Sequence, residues 1–173
     1  MNTIEVQSIS KTFGKQKAVD QVSFNIQPGE IFGLLGPNGA GKTTCIRIIL
    51  DIFKPDTGSV TIFGGQMDEK KKNRIGYLPE ERGLYQEIGL EQGLNYLASL
   101  KGLNKAESKK RIQDYLERFN LMEHRKKKIK ALSKGMQQKA QLIITLVHDP
   151  ELIIIDEPFS ALDPVNTQMV KDL

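Results

Sequence analysis

The stretch Gly36-Pro37-Asn38-Gly39-Ala40-Gly41-Lys42-Thr43 fits G-x-x-x-x-G-K-[ST], the spacing of a loop that cradles nucleotide phosphates. The chemistry follows from the residue types. Glycines let successive backbone N–H groups converge on phosphate oxygens with no Cβ in the way. The start of the following helix adds partial positive charge. Lys42 can reach the β- and γ-phosphates, and the Thr43 hydroxyl, with Thr44 behind it, can ligate Mg²⁺. Read as a glycine-rich turn without a ligand, the segment leaves the Lys-Thr pair with no use.

A second set of reactive groups follows Leu152-Ile153-Ile154-Ile155, an apolar run long enough for one buried parallel strand. It ends in Asp156-Glu157-Pro158. Carboxylates at the C-terminal end of a strand sit where open α/β sheets bind ligands. Asp156 is placed to hold Mg²⁺ and Glu157 to take a proton from an attacking water. A third segment, Leu132-Ser133-Lys134-Gly135-Met136-Gln137-Gln138-Lys139, puts a serine at a helix N-cap beside a glycine. That arrangement can bind anions, but on this segment alone it reads first as a plain capped helix.

These groups need particular elements to hold them. The spacing predicts a short strand over Ile31–Leu35 ahead of the phosphate loop and an amphipathic helix from Thr44 to Leu50 after it. Residues 3–30 read as short strands, with Val22–Ile26 alternating apolar and polar. Strands are also predicted at Gly58–Gly65 and Arg74–Pro79. From about residue 88 the period becomes helical: Leu90, Leu94 and Leu97, then Ile112, Tyr115, Leu116 and Phe119. A third helix is expected from Gly135 to Val147.

The 173 residues allow one domain with a sizeable core. Hydrophobic content of 39% and charged content of 27% suit a soluble globular protein. No apolar run reaches the roughly 20 residues of a membrane span, and Met1–Glu5 carries no signal-peptide pattern. The single cysteine, Cys45, excludes an internal disulfide and is expected to pack rather than react. Formal charge is +4 but uneven, with 11 Lys/Arg against 4 Asp/Glu between Lys101 and Lys130. The basic run His124–Lys130 is read as a solvated loop. Nucleic acid is not expected as a partner, because no aromatic residues interleave the basic ones for base stacking.

Taken together, the motifs resemble the ATP-binding cassette (ABC) family, the ATPase subunits of ABC transporters. Leu132–Met136 is similar to the family's L-S-G-G-Q signature, with Lys134 replacing its first glycine and Met136 its glutamine. Ser160-Ala161-Leu162-Asp163 matches the family's S-A-L-D loop, and Phe13 stands where the family places an aromatic that stacks on adenine. The resemblance implies an α/β phosphate-loop NTPase fold, with an N-terminal antiparallel β-subdomain and an inserted helical subdomain. Residues 1–79 and 150–173 would form the nucleotide-binding core and 80–149 the helical part. It implies ATP and Mg²⁺ as cofactors, with Lys42 and Glu157 catalytic. Nucleotide would be held by Phe13, Gly36, Asn38, Gly39, Ala40, Gly41, Lys42, Thr43, Thr44 and, from a second subunit, by Ser133 and Gly135. The metal would be held by Thr43, Glu80 and Asp156. The partners implied are a second ATPase subunit, in an ATP-dependent dimer, and a membrane permease touching residues 80–91. The location implied is the cytoplasmic face of the membrane.

Two departures from the family pattern stand out. Glu80 occupies the place of the family's lid glutamine, and the run Leu78–Tyr85 resembles bacterial exporters of the sodium-extrusion (Nat) type. The family's switch histidine should follow the carboxylates, but His124 and His148 both precede them. The chain therefore resembles a cassette incomplete at its C-terminus. It is expected to be weakly active or inactive by itself, less stable than a full cassette and prone to self-association. Two other readings are a soluble ABC ATPase of translation or DNA repair, and a nucleotide-binding fragment without turnover. The single cassette argues against the translation type. The short interval between Lys42 and Ser133 leaves no room for the coiled coils of the repair type.

Overall fold

The computed structural model describes residues 1–80 and 83–156. The chain divides into two compact units, residues 1–72 and residues 73–173.

The first unit is built on a three-stranded antiparallel sheet of order β2-β1-β3. Its strands are β1 (Ile4–Phe13), β2 (Gln16–Ile26) and β3 (Thr57–Ile62). β1 and β2 are 10 and 11 residues long, longer than the short strands expected. Gly14 and Lys15 join them in a two-residue hairpin, with Gly14 at φ 58° supplying the left-handed backbone such a turn needs. Ile4, Val6, Ile9, Val19 and Ile62 turn inward and are buried with Cys45, Ile46, Ile48 and Ile49 of helix α1 (Lys42–Ile49). A single exposed turn, α2 (Glu69–Lys72), ends the unit.

The strand expected over Ile31–Leu35 does not form. A strand needs a neighbour to take its N–H and C=O groups. Among the described residues, none pairs with this run. Ile31 and Leu35 lie almost wholly in solvent, at 101% and 94% relative exposure. Within the run Phe32 stacks on Phe24, ring centroids 4.8 Å apart.

The second unit pairs β4 (Ile75–Leu78) with β5 (Leu152–Ile155) in parallel, Ile75 opposite Leu152 and Leu78 opposite Ile155. Three helices, α3 (Leu90–Leu100), α4 (Lys105–Arg118) and α5 (Lys134–Leu146), follow, and of the stripes predicted for the first two Leu97 and Tyr115 are only half-buried. Leu90, Leu94, Ile112, Leu116, Phe119, Ala140 and Ile143 share one core. Asn104 caps α4, its Oδ1 accepting from Glu107 N at 2.9 Å. Asn120 and Asp149 take left-handed backbone just beyond α4 and α5, a conformation that short polar side chains tolerate and that ends a helix. Among the described residues, no helix is long and apolar enough to cross a membrane.

Candidate functional site

The phosphate loop, in the first unit, departs from regular structure at the positions where its glycines are needed. Gly39 and Gly41 hold φ of 81° and 85°. At Gly41 a Cβ would lie 2.0 Å from the Ala18 carbonyl oxygen on β2, so a side chain is excluded by backbone, not merely by strain. Because Gly41 is the N-cap of α1, no side chain caps that helix. Its opening turn, with its partial positive charge, is left to an anion. Lys42 folds over the loop, its Nζ donating to Gly36 O at 2.9 Å and Pro37 O at 3.0 Å. The loop thus brings Gly36, Asn38, Gly39, Ala40, Gly41, Lys42, Thr43 and Thr44 into one short arc of chain. Cys45, one turn into α1, is buried, and burial pushes its thiol up to about 11, which keeps it protonated and inert as expected.

Phe13 is half-exposed at the end of β1. Its ring meets Phe53 edge-on, with centroids 5.5 Å apart, and the Lys11 ammonium lies 5.8 Å from its centroid. Lys11 also binds Asp56 at 2.7 Å, and that bond holds the Asp56 carboxyl below its usual range. Phe13 therefore presents a ring with one edge supported and part of its surface open to water.

The second unit gathers two other groups of candidates. Ser133 is the N-cap of α5, its Oγ accepting from Met136 N at 3.2 Å, with Gly135 in the first turn. Ser133 and Lys134 stay exposed at the tip. Directly beneath them Gln137 is buried, its Nε2 donating to Ile129 O and Leu132 O, both at 3.1 Å. Gln137 fixes this turn and was not singled out from sequence. Its one signal was a polar residue on the apolar face of α5. Glu80 and Asp156 emerge at the same end of the β4–β5 pair. Asp156 is 4% exposed, and its N–H extends the ladder to Leu78 O at 2.9 Å, while Glu80 lies exposed. Glu157 and the run Ser160–Asp163 lie outside the described residues.

The donors within each unit are of the types that Mg²⁺ takes: the Thr43 hydroxyl in the first, the Glu80 and Asp156 carboxylates in the second. Among the described residues, no three His, Cys, Asp or Glu side chains converge as an all-protein metal cage. Mg²⁺ needs none, since it is held by one or two carboxylates, a hydroxyl, water and the phosphates themselves. When bound, Mg²⁺ neutralises charge that builds on the phosphoryl oxygens.

The basic run has a structural use. Lys127 O and Arg125 O accept the first N–H groups of α3, from Leu90 and Glu91, both at 2.9 Å. Glu87 meets Lys130 at 2.9 Å and Lys128 at 3.7 Å, and Glu91 lies 3.9 Å from Arg125. The run closes the N-terminus of a helix and has several of its charges matched.

The family model described as ABC transporter matches residues 19–160. YhaQ of Bacillus subtilis, described as an uncharacterized ABC transporter ATP-binding protein, is 48% identical over 169 residues, covering 98% of this chain and 57% of YhaQ. NatA of the same organism, an ABC transporter ATP-binding protein, is 39% identical over 160 residues, covering 90% of this chain and 65% of NatA. A solved structure described as the ATP binding subunit of an ABC transporter superposes with TM-score 0.88 at 34% identity, over 98% of this chain and 72% of that one. The chain thus spans 57% to 65% of the length of these two curated relatives.

Proposed function

Because this chain belongs to the ABC transporter family of ATP-binding proteins, we propose that it is the part of an ATPase subunit that binds Mg-ATP and powers export of a small solute or ion through a separate membrane permease. The observation that carries this reading is the Gly41–Lys42 junction. It joins a glycine whose side chain is excluded to a cation turned over its own loop, at the start of an uncapped helix.

In this reading Lys42 and the α1 N-terminus hold the β- and γ-phosphates, and Phe13 stacks on the base. Thr43, Asp156 and Glu80 hold Mg²⁺, and Glu157 accepts the proton of the attacking water. Ser133 and Gly135 of one subunit close over nucleotide on another. The acceleration is electrostatic, from cations and helix N-termini set where phosphoryl charge develops. Residues 1–79 and 150–173 act as the nucleotide-binding core and 80–149 as the signature-bearing part. The location proposed is the cytoplasmic face of the membrane. Export is favoured by the likeness of Leu78–Tyr85 to Nat-type exporters.

The test uses the full-length protein. Lys42→Ala should lower Mg-ATP affinity by a large factor in calorimetry, and equal affinity for the two proteins would overturn the reading. Glu157→Gln should retain ATP binding and accumulate an ATP-dependent dimer in size-exclusion chromatography. Undiminished turnover in that variant would remove Glu157 from the base role.

A further inference from the structure

The carbonyls of β4 are engaged one after another by other elements of the same unit. Arg74 O, just before the strand, accepts from Glu151 N at 2.9 Å. Ile75 O receives the Lys101 ammonium at 3.1 Å and lies 3.1 Å from the His148 ring. Tyr77 O at 3.4 Å and Gln141 O of α5 at 3.0 Å are alternative acceptors for the single proton of the Thr145 hydroxyl. Leu78 O accepts from Asp156 N.

Among these ties Gly76 marks a close approach between β4 and α5. A Cβ at Gly76 would stand 2.4 Å from the Thr145 carbonyl oxygen, 3.0 Å from Pro150 Cγ and 3.1 Å from Thr145 Cγ2. The nearest of these atoms is backbone, so any side chain at Gly76 must drive the strand and the helix apart. α5 is 13 residues long, about 20 Å at 1.5 Å per residue. Its first turn carries Ser133 and Gly135, and its last turn carries Thr145. Past Gly76, β4 leads to Glu80, and its partner β5 leads to Asp156. One contact therefore joins the helix that presents the capping turn to the strands that present the acidic groups.

We infer that Gly76 and Thr145 are positioning residues: the bare Cα of Gly76 against the Thr145 carbonyl, and the Thr145 hydroxyl beside Tyr77 O, make α5 and the β4–β5 pair move as one body. Engagement of the Ser133 end by nucleotide then keeps Glu80 and Asp156 in place for the metal. The inference rests on the ATPase reading above.

The test is made in full-length protein by measuring kcat, the KM for ATP, the Mg²⁺ concentration for half-maximal turnover and the melting temperature. Gly76→Ala should lower kcat by a factor on the order of 100, the usual cost of an ångström-scale misplacement. It should raise the Mg²⁺ requirement several-fold and leave the KM for ATP unchanged. Thr145→Val should shift the Mg²⁺ curve in the same direction by less, and Thr145→Ser, which keeps the hydroxyl, should restore it. A merely structural role would lower the melting temperature and scale activity with the folded fraction. A Mg²⁺ curve superimposable on wild type in folded Gly76→Ala would overturn the inference. Should Gly76→Ala fail to fold, the Thr145→Val and Thr145→Ser pair decides by the same curve. Wild-type protein with no ATP turnover would instead overturn the ATPase reading, and the wild-type assay separates that failure from failure of the contact.

Discussion

Residues 31–42 and residues 129–137 each run from apolar chain through glycine to the start of a helix, and they are built in opposite ways. In the first, Ile31 and Leu35 face solvent, the helix is uncapped, and the backbone is held by glycine conformation and one lysine. In the second, Ile129 and Leu132 are buried, Ser133 caps the helix, and Gln137 ties down the two carbonyls beneath. An apolar helix face finds cover on a neighbouring helix, which three consecutive helices supply. An apolar strand also needs a ladder partner on each side, and residues 31–35 have none among the described residues. The apolar run is the same signal in both places, but only one of them is satisfied by nearby sequence.

The largest expected effect tests that contrast. Leu94, wholly buried in the helical core, should cost about 2–5 kcal/mol on truncation to Ala. Ile31→Ser in the 173-residue chain should change stability by less than about 0.5 kcal/mol, as exposed positions do. Urea melts of the two variants measure the difference, and an Ile31→Ser loss comparable to that of Leu94→Ala would show that residues 31–35 are packed after all. The same exposed side chains should make the 173-residue chain associate with rising concentration in the absence of nucleotide, and Ile31→Ser should lessen it. Light scattering from a concentration-independent monomer would break this side of the comparison.

The contrast also explains what was legible. Leu90, Leu94, Ile112, Leu116 and Phe119 were readable because helical period reports burial directly and the partners lie close in sequence. The helix start at Gly41-Lys42 and the strand end before Asp156 were legible from the glycine spacing and from a carboxylate closing an apolar run, and Ser133 as an ordinary helix N-cap. Ile31–Leu35 was misread because an apolar run reports a wish for burial and is silent on whether a pairing strand is present. Gln137 and Gly76 were not singled out for a different reason. Their roles are set by backbone carbonyls, Ile129 and Leu132 in one case and Thr145 in the other, and a carbonyl leaves no mark on the sequence. The hairpin at Gly14-Lys15 was not singled out within residues 3–30.

A smaller effect sharpens the second half of the comparison. Ser133→Ala removes the side-chain cap of α5 and should cost about 1 kcal/mol of stability. Ser133→Gly should cost only a few tenths. α1, which begins at Gly41 without a side-chain cap, has no such term to lose. If Ser133→Ala leaves the urea midpoint unchanged, the cap contributes nothing, and the two helix starts differ less than their geometry suggests.

The smallest expected effect is a pH dependence confined to the second unit. His148, just past the end of α5, is half-buried, and burial lowers its pKa from the usual imidazole value, with Lys101 and Arg111 adding positive charge nearby. The groups around it are cationic or neutral: the Lys101 ammonium shares Ile75 O with the ring, and Arg111 reaches Val147 O at 3.1 Å. At pH 8 the ring is neutral in folded and unfolded chain alike, and it contributes no pH dependence. As pH falls through about 6.5 the unfolded chain takes up the proton first. The folded state must then either stay neutral or bear a third positive charge beside Lys101 and Arg111. Stability therefore falls as pH drops below about 7 and levels off below the folded pKa. The carboxyl groups with lowered pKa, Asp56 beside Lys11 and Glu151 beside Arg74, act at lower pH and leave this window clear. His148→Gln, which can still donate to Ile75 O, should flatten the difference between urea midpoints at pH 7.5 and pH 5.5. The effect should be smaller than the loss of the Ser133 cap, because the ring is only partly shielded and water screens much of the repulsion. A wild-type midpoint that rises on acidification across this window, or a slope unaltered in His148→Gln, would show that the imidazole is not the group being titrated.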